Sequence, residues 1–263
     1  MLHASADREQ FHLLKITATI ITLNEERNIA RAIESLRCCD EILMVDSGSS
    51  DRTLELAQNL GVRVIEAPWR GYAKQKNLAA ESATHDWILS IDADEALSER
   101  LEGEIWNLKK NGPDCDAYTM PRLAQYLGRW IFHGGWYPDR KVRLYHRAKA
   151  RWVGEFVHES VKVDGRVGRL DANLLHYTCD SLSEHLKTMD RYTTLAAEEI
   201  VARKQKVPAH KVVFDPAWTF VKGYVLQGGF LDGLEGLAIA YMASLYTFLK
   251  YAKARNMGSW SGL

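Results

Sequence analysis

Trp87-Ile88-Leu89-Ser90-Ile91-Asp92-Ala93-Asp94-Glu95 is an apolar run that ends in a burst of carboxylates. A short apolar run bounded by polar residues reads as a buried strand, and ligands of open α/β sheets bind just beyond the carboxyl ends of such strands. Side chains repeat every second residue along an extended chain, so Asp92 and Asp94 fall on one side. Two carboxylates so placed suit a hard divalent cation that also grips phosphate oxygens. Asp-x-Asp is equally common in solvated turns, so its place in the chain has to carry the reading.

That place is set by what lies upstream. Apolar, β-branched runs recur at residues 16–23, 41–45 and 62–65, with helical patterns between them. Residues 26–37 put Ile29, Ala32, Ile33 and Leu36 on one face, 51–60 begin with Asp51, an acid suited to capping, and 72–83 form a weaker third helix. Strands alternating with helices imply a mostly parallel sheet covered on both faces, with 87–91 as its fourth strand. Beyond residue 98 the pattern loosens to one helix (98–110) and short strand-like pieces at 117–120, 141–145, 160–163 and 173–176. Helices follow at 181–206 and 216–255, the second broken at Gly228-Gly229. The expected organisation is an α/β domain over residues 1–180 and a helical extension over 181–263.

Composition narrows the function classes. The 263 residues are 46% hydrophobic, ordinary for a packed core, and Lys+Arg and Asp+Glu both number 34. No global field attracts nucleic acid, so any anion site is local. Cysteines 38, 39, 115 and 179 have no C-x-x-C spacing, and the adjacent pair suits neither a disulfide framework nor zinc, which points to a reducing, cytoplasmic setting. The first fifteen residues contain acids and lack a continuous apolar core, against a signal peptide. The uncharged run 236–249 is short of the roughly eighteen residues that a membrane span needs.

Two polar loops share the sheet edge with Asp92. Thr22-Leu23-Asn24-Glu25-Glu26 ends the first strand, and Asp46-Ser47-Gly48-Ser49-Ser50-Asp51 ends the second. The serines and Asp51 fit helix caps; Asp46, at the last strand position, can face a ligand and accept from a base or ribose. Neither loop carries G-x-G-x-x-G or G-x-x-x-x-G-K-[ST], so Rossmann and P-loop chemistry lose their support. Lys74-Gln75-Lys76-Asn77 opens the third helix, where a lysine can neutralise a diphosphate beside the helix N-terminus or simply face solvent. Arg140, Lys141 and Arg143 read either as an anion site or as soluble surface. In the aromatic stretch 126–137, Trp130, Phe132, Trp136 and Tyr137 can stack on a sugar or fill a core.

I-I-T-L-N-E-E-R-N-I (20–29), V-D-S-G-S-S-D-R-T (45–53), K-Q-K-N (74–77) and D-W-I-L-S-I-D-A-D-E (86–95) occur in an order and spacing that resembles the inverting glycosyltransferases of family 2, with their GT-A fold. The resemblance implies that Thr22, Asn24, Glu25 and Asp46 contact the nucleotide, that Lys76 supports the diphosphate, and that Asp92 approaches ribose and metal. Asp94 would ligate a Mg2+ or Mn2+ ion on the diphosphate. Gly134-Gly135, Val157-His158-Glu159 and His176 match weaker family features in order: an acceptor loop, an acid motif with His-Glu in place of Glu-Asp, and a histidine metal ligand. Glu159 is then the general base and Asp139 its competitor.

W-Y-P-D-R-K-V-R-L (136–144) and V-G-E-F-V-H-E (153–159) further resemble the bacterial transferases of lipopolysaccharide core assembly. These use UDP-glucose as the usual donor and an inner-core heptose as acceptor, with a polyprenyl-phosphate acceptor as the rival. A pyrophosphorylase would need a glycine-rich basic loop after strand one, and a degenerate scaffold would have a broken acid cluster. Residues 210–263 mix aromatics with lysines, which fits either a peripheral segment on the cytoplasmic face of the inner membrane or a helical pair packed on protein, a second subunit included.

Overall fold

The four apolar runs become β1 (Ile16–Thr22), β2 (Glu41–Asp46), β3 (Arg63–Glu66) and β4 (Trp87–Asp92), parallel in the order β3-β2-β1-β4. The chain was built as a computed structural model that describes residues 13–154 and 159–260; the N-terminal twelve residues, and Val157 and His158 of the expected acid motif, lie outside the described residues. All seven residues of β1 are buried, which is why it reads as a near-continuous apolar run. Its register pairs Thr22 with Asp46 and Ile21 with Asp92, bringing both polar loops and the acid cluster to one sheet edge.

Helices α1 (Ile29–Glu34), α2 (Thr53–Asn59) and α3 (Tyr72–Ser82) make the crossovers. α1 is shorter than its apolar periodicity implies, because residues 24–28 are taken into the loop: the Glu25 carbonyl accepts from Asn28 and Ile29, both at 2.9 Å. Ile20, Ile29, Leu36, Met44, Leu89 and Ile91 anchor the main core.

Beyond β4 come β5 (Glu95–Leu97), α4 (Glu99–Asn111), β6 (Ala117–Tyr126), β7 (Arg129–Trp130), β8 (Asp139–His146), β9 (Ala150–Val153), β10 (Ser160–Val163), β11 (Val167–Arg169) and β12 (Leu174–Cys179). The sheet continues β4-β8-β6-β12-β5, and β8 runs antiparallel to β4 with Leu144 opposite Leu89. This is the α/β, GT-A-like sheet with helices that the motifs imply, although mixed once past β4. β5, β7, β9 and β11 span two to four residues each, too few for a periodic signal.

The chain gathers into two compact units, one of residues up to Pro121 with Arg140–Leu175, the other of Arg122–Asp139 with the chain from His176 onward. The second holds α5 (Leu182–Ala202), α6 (Ala209–Val221), a π-helical turn (Lys222–Leu226), a 3-10 turn (Gly229–Asp232) and α7 (Gly233–Trp260). The aromatic stretch groups with these helices. Leu127 (φ 49°) and Gly128 (φ 85°) form the tight turn between Tyr126 and Arg129, the twist such two-residue hairpins need. Tyr126 and Ile131, each 1% exposed, pack against Ile239, so this part of the stretch fills a core. The break at Gly228-Gly229 is steric as well as conformational: a Cβ on Gly236 would overlap the Gly229 carbonyl oxygen.

At the start of β2, Glu41 accepts from the Thr17 hydroxyl (2.7 Å), the Thr84 amide (2.8 Å) and Arg63 Nε (2.9 Å). Burial alone would raise its carboxyl, but these hydrogen bonds outweigh that and hold it at about 2, below the ordinary 4.5. A depressed carboxyl contributes stability that is complete above its unfolded value and lost as pH falls through its folded one. Urea midpoints should therefore drop between pH 4.5 and about 2 in the wild-type chain, and Glu41→Gln should flatten the fall in that window; parallel curves would remove Glu41 from the account.

Candidate active site

β4 delivers Asp92 as its last residue, Ala93 and Asp94 form the turn, and Glu95 opens β5. The turn is closed by its own acid, since Glu95 Oε2 accepts the Asp92 amide at 2.9 Å. Two cations then hold the Asp92 side chain. Lys76 Nζ lies 2.8 Å from Oδ1, and Arg143 Nη2 donates to Oδ2 at 2.8 Å and to Glu95 Oε1 at 2.6 Å. Lys76 also reaches Glu159 Oε1 at 3.3 Å. The Trp152 ring sits 4.2 Å from the Lys76 ammonium and 5.7 Å from the Arg143 guanidinium carbon, so a π-face meets both cations.

Lys76 and Arg143 are buried at 1% and 3% exposure, whereas 28% of the Asp92 side chain stays accessible. Burial by itself would raise the Asp92 carboxyl; Arg143 and then Lys76 outweigh it and hold the group well below the usual carboxylate range. Arg143 moves the opposite way: burial disfavours its charge, but Asp92 and Glu95 push its pKa above the ordinary arginine value. The centre is a buried cluster of opposite charges with one open side, at Asp92.

The two polar loops are fastened to each other. The Asn24 amide donates to Ser49 Oγ (2.8 Å), the Ser50 amide to Asn24 Oδ1 (2.8 Å), the Glu25 amide to Thr53 Oγ1 (2.8 Å) and the Glu26 amide to Asp51 Oδ2 (3.1 Å). Asn24 takes a positive φ of 57° to do so, which asparagine tolerates better than most residues. Asp46, expected to face a ligand, is fully buried and turns into its own loop: Oδ2 accepts the Gly48 and Ser49 amides at 2.8 Å each, and Oδ1 accepts the Ser49 hydroxyl. Thr22, also buried, accepts the Ser47 amide on its carbonyl at 3.0 Å. Burial raises the Glu25 carboxyl; a hydrogen bond from Asn28 opposes this, and repulsion from Asp94, Asp51 and Asp92 adds to the rise.

Asp139 and His176 belong to the second unit. Arg122 grips Asp139 Oδ2 through Nη2 (2.7 Å) and Nε (3.1 Å), and these residues line a cavity of about 290 Å³ with Trp136, His176 and Thr178. Among the described residues no group of three or more His, Cys, Asp or Glu is placed to hold a metal ion. A cation here would need phosphate oxygens alongside a carboxylate, the usual way Mg2+ is held at a nucleotide. The all-oxygen donors Asp94 and Glu25, close enough to repel, suit a hard ion of that kind.

Arg143, one of three basic residues that the sequence leaves between anion binding and surface, is neither exposed nor spare. Arg140 pairs with Asp171 at 2.9 Å instead. Trp152 and the clamping role of Glu95 carried no sequence signal, because both depend on strands brought together from distant parts of the chain.

The sequence profile described as Glycosyl transferase family 2 matches residues 17–159. The lipopolysaccharide core biosynthesis glycosyltransferase LpsC of Rhizobium meliloti (strain 1021) is 33% identical over 91% of this chain and 92% of its own length. An uncharacterized glycosyltransferase of Rickettsia typhi is 32% identical over 92% of this chain and 87% of its own. Among solved structures, S. aureus TarS 1–349 aligns over 93% of this chain and 92% of its own with a TM-score of 0.49 and 16% identity. The chain belongs to glycosyl transferase family 2. It is a transferase.

Removing one cation from the clamp leaves a carboxylate short of its partner. Arg143→Met should cost on the order of 3 kcal/mol in urea unfolding, as breaking a buried ion pair does. An unchanged midpoint would show that the network does not hold the β4–β5 turn.

Proposed function

We propose that this transferase moves a hexose, glucose from UDP-glucose in the first instance, onto a saccharide of the lipopolysaccharide inner core, with inversion at the anomeric carbon. The acceptor class follows the name of the LpsC relative, and the donor follows the motif resemblance alone. The observation that carries the chemistry is Lys76, which touches both the Asp-x-Asp acid Asp92 and the proposed base Glu159.

In this reading the zipped loops hold the nucleoside, with Thr22, Asn24 and Glu25 on the binding edge and Asp46 keeping the second loop in shape. Lys76 and Arg143 place two fixed cations behind Asp92, where they oppose the charge of a departing diphosphate without reorganising. A Mg2+ or Mn2+ ion held by Asp94, with Asp92 or Glu25 beside it, would add Lewis-acid stabilisation of the same leaving group. Glu159 takes the proton of the attacking hydroxyl. It is preferred to Asp139 because it shares Lys76 with the Asp-x-Asp acid Asp92, whereas Asp139 pairs with Arg122. Attack opposite the leaving diphosphate turns an α-linked donor into a β-linked product.

Glu159→Gln should lower turnover by about 10² to 10⁴-fold, the usual worth of a general base, and leave donor binding intact. Nucleotide release from UDP-glucose with a deacylated core saccharide as acceptor reads the effect. Near wild-type turnover in Glu159→Gln, with a collapse in Asp139→Asn, would transfer the role to Asp139.

A further inference from the structure

We propose that the outer face of α6, the turns that follow it and the start of α7 docks the protein onto an anionic lipid surface, lying in the headgroup layer without crossing it. This does not depend on the identity of donor or acceptor. The packing of α6 is inverted relative to an ordinary amphipathic helix, which turns its apolar stripe inward. Its inner side is small and polar: the Pro216 carbonyl accepts the Ser244 hydroxyl at 2.9 Å, and the Thr219 and Thr247 hydroxyls meet at 3.4 Å. Its outer side carries Val213, Phe214, Trp218 and Val221 at helical spacing, all exposed.

Leu226 and Leu234 extend this face through the turns, Leu234 being 78% exposed. Aromatic contacts carry it to α7, with the Phe220 ring stacked on Tyr224 at 5.4 Å and 4.8 Å from the ring of the exposed Tyr241. Exposed large apolar side chains in this number mark an interaction site.

Charge selects the occupant. Residues 203–255 contain eight lysines and arginines against three acids, Asp215, Asp232 and Glu235; Arg203 and Lys253 are paired with Glu199 and Asp190 of α5, which leaves six against three. None of the three is exposed, and Asp232 is bound to the His133 amide at 2.8 Å, whereas Lys211 and Lys222 stand exposed beside the stripe. A two-fold contact with a second copy would set this lysine-bearing face against the same face, with no exposed acid on it to pair the lysines. An anionic bilayer meets both demands, taking the apolar side chains below the headgroups and the lysines at them. No helix among the described residues is long and apolar enough to cross a membrane, so the contact is lateral.

Vesicle flotation of the full-length protein tests this, comparing phosphatidylcholine alone with phosphatidylcholine containing phosphatidylglycerol. The wild-type chain should float with the anionic vesicles. Lys211→Glu/Lys222→Glu should cut the partition coefficient by about tenfold or more, given the attraction of each basic residue to such a surface. Phe214→Ser/Trp218→Ser/Leu234→Ser should cut it similarly while leaving the melting midpoint in place, because these side chains are exposed. Wild-type protein that stays unbound, or variants that float as well as wild type, would overturn the proposal. So would a dimer, seen by light scattering without lipid, that the same substitutions dissolve with no effect on flotation.

Discussion

The carboxylate of Asp92, held between two buried cations, is the constraint on which the first unit depends. A lysine and an arginine at 1% and 3% exposure are tolerable only with opposite charge in contact, and Asp92 supplies it to both. Through Arg143 the same carboxylate is tied to Glu95, which closes the turn carrying Asp94; through Lys76 it is tied to Glu159. Trp152 gives the cations a low-polarity wall. The charge that the proposed mechanism sets behind a leaving diphosphate is thus the charge that ties β4, β5, α3 and β8 together.

The parallel half of the sheet was legible because burial on both faces leaves a strong mark: unbroken apolar runs, separated by helical spacing and ending in polar loops. The order of motifs then identified the family. What the motifs could not convey was the use of each polar residue. Asp46 has the position of a ligand-facing acid, but the amides of Gly48 and Ser49 lie within its own loop and claim it first. Arg143 looks like its neighbours Arg140 and Lys141 in the chain; only Asp92 and Glu95, brought beside it where β8 runs along β4, hold it inward. Short strands such as β5 and β11 take their conformation from pairing partners far away, so their residues carry no local record of it.

The second unit shows the same limit from the other direction. Its helices and the Gly228-Gly229 break follow from periodicity and sterics, while the aromatic stretch 126–137 divides: Tyr126 and Ile131 enter a core, and Phe132 stays exposed. Composition announced aromatics and lysines near the C-terminus. Only the packing of α6, polar side inward, showed which of them face outward.

The proposed transfer requires a nucleotide site at the carboxyl edge of β1, β2 and β4, completed by a cation at Asp94. Calorimetric titration of UDP, GDP and dTDP into the protein, with and without Mn2+, tests it most directly. A nucleoside diphosphate should bind, Mn2+ should strengthen that binding, and Asp94→Asn should return it to the metal-free level. Nucleotide binding that is indifferent to Mn2+ and to Asp94, or no binding of any of the three, would contradict it.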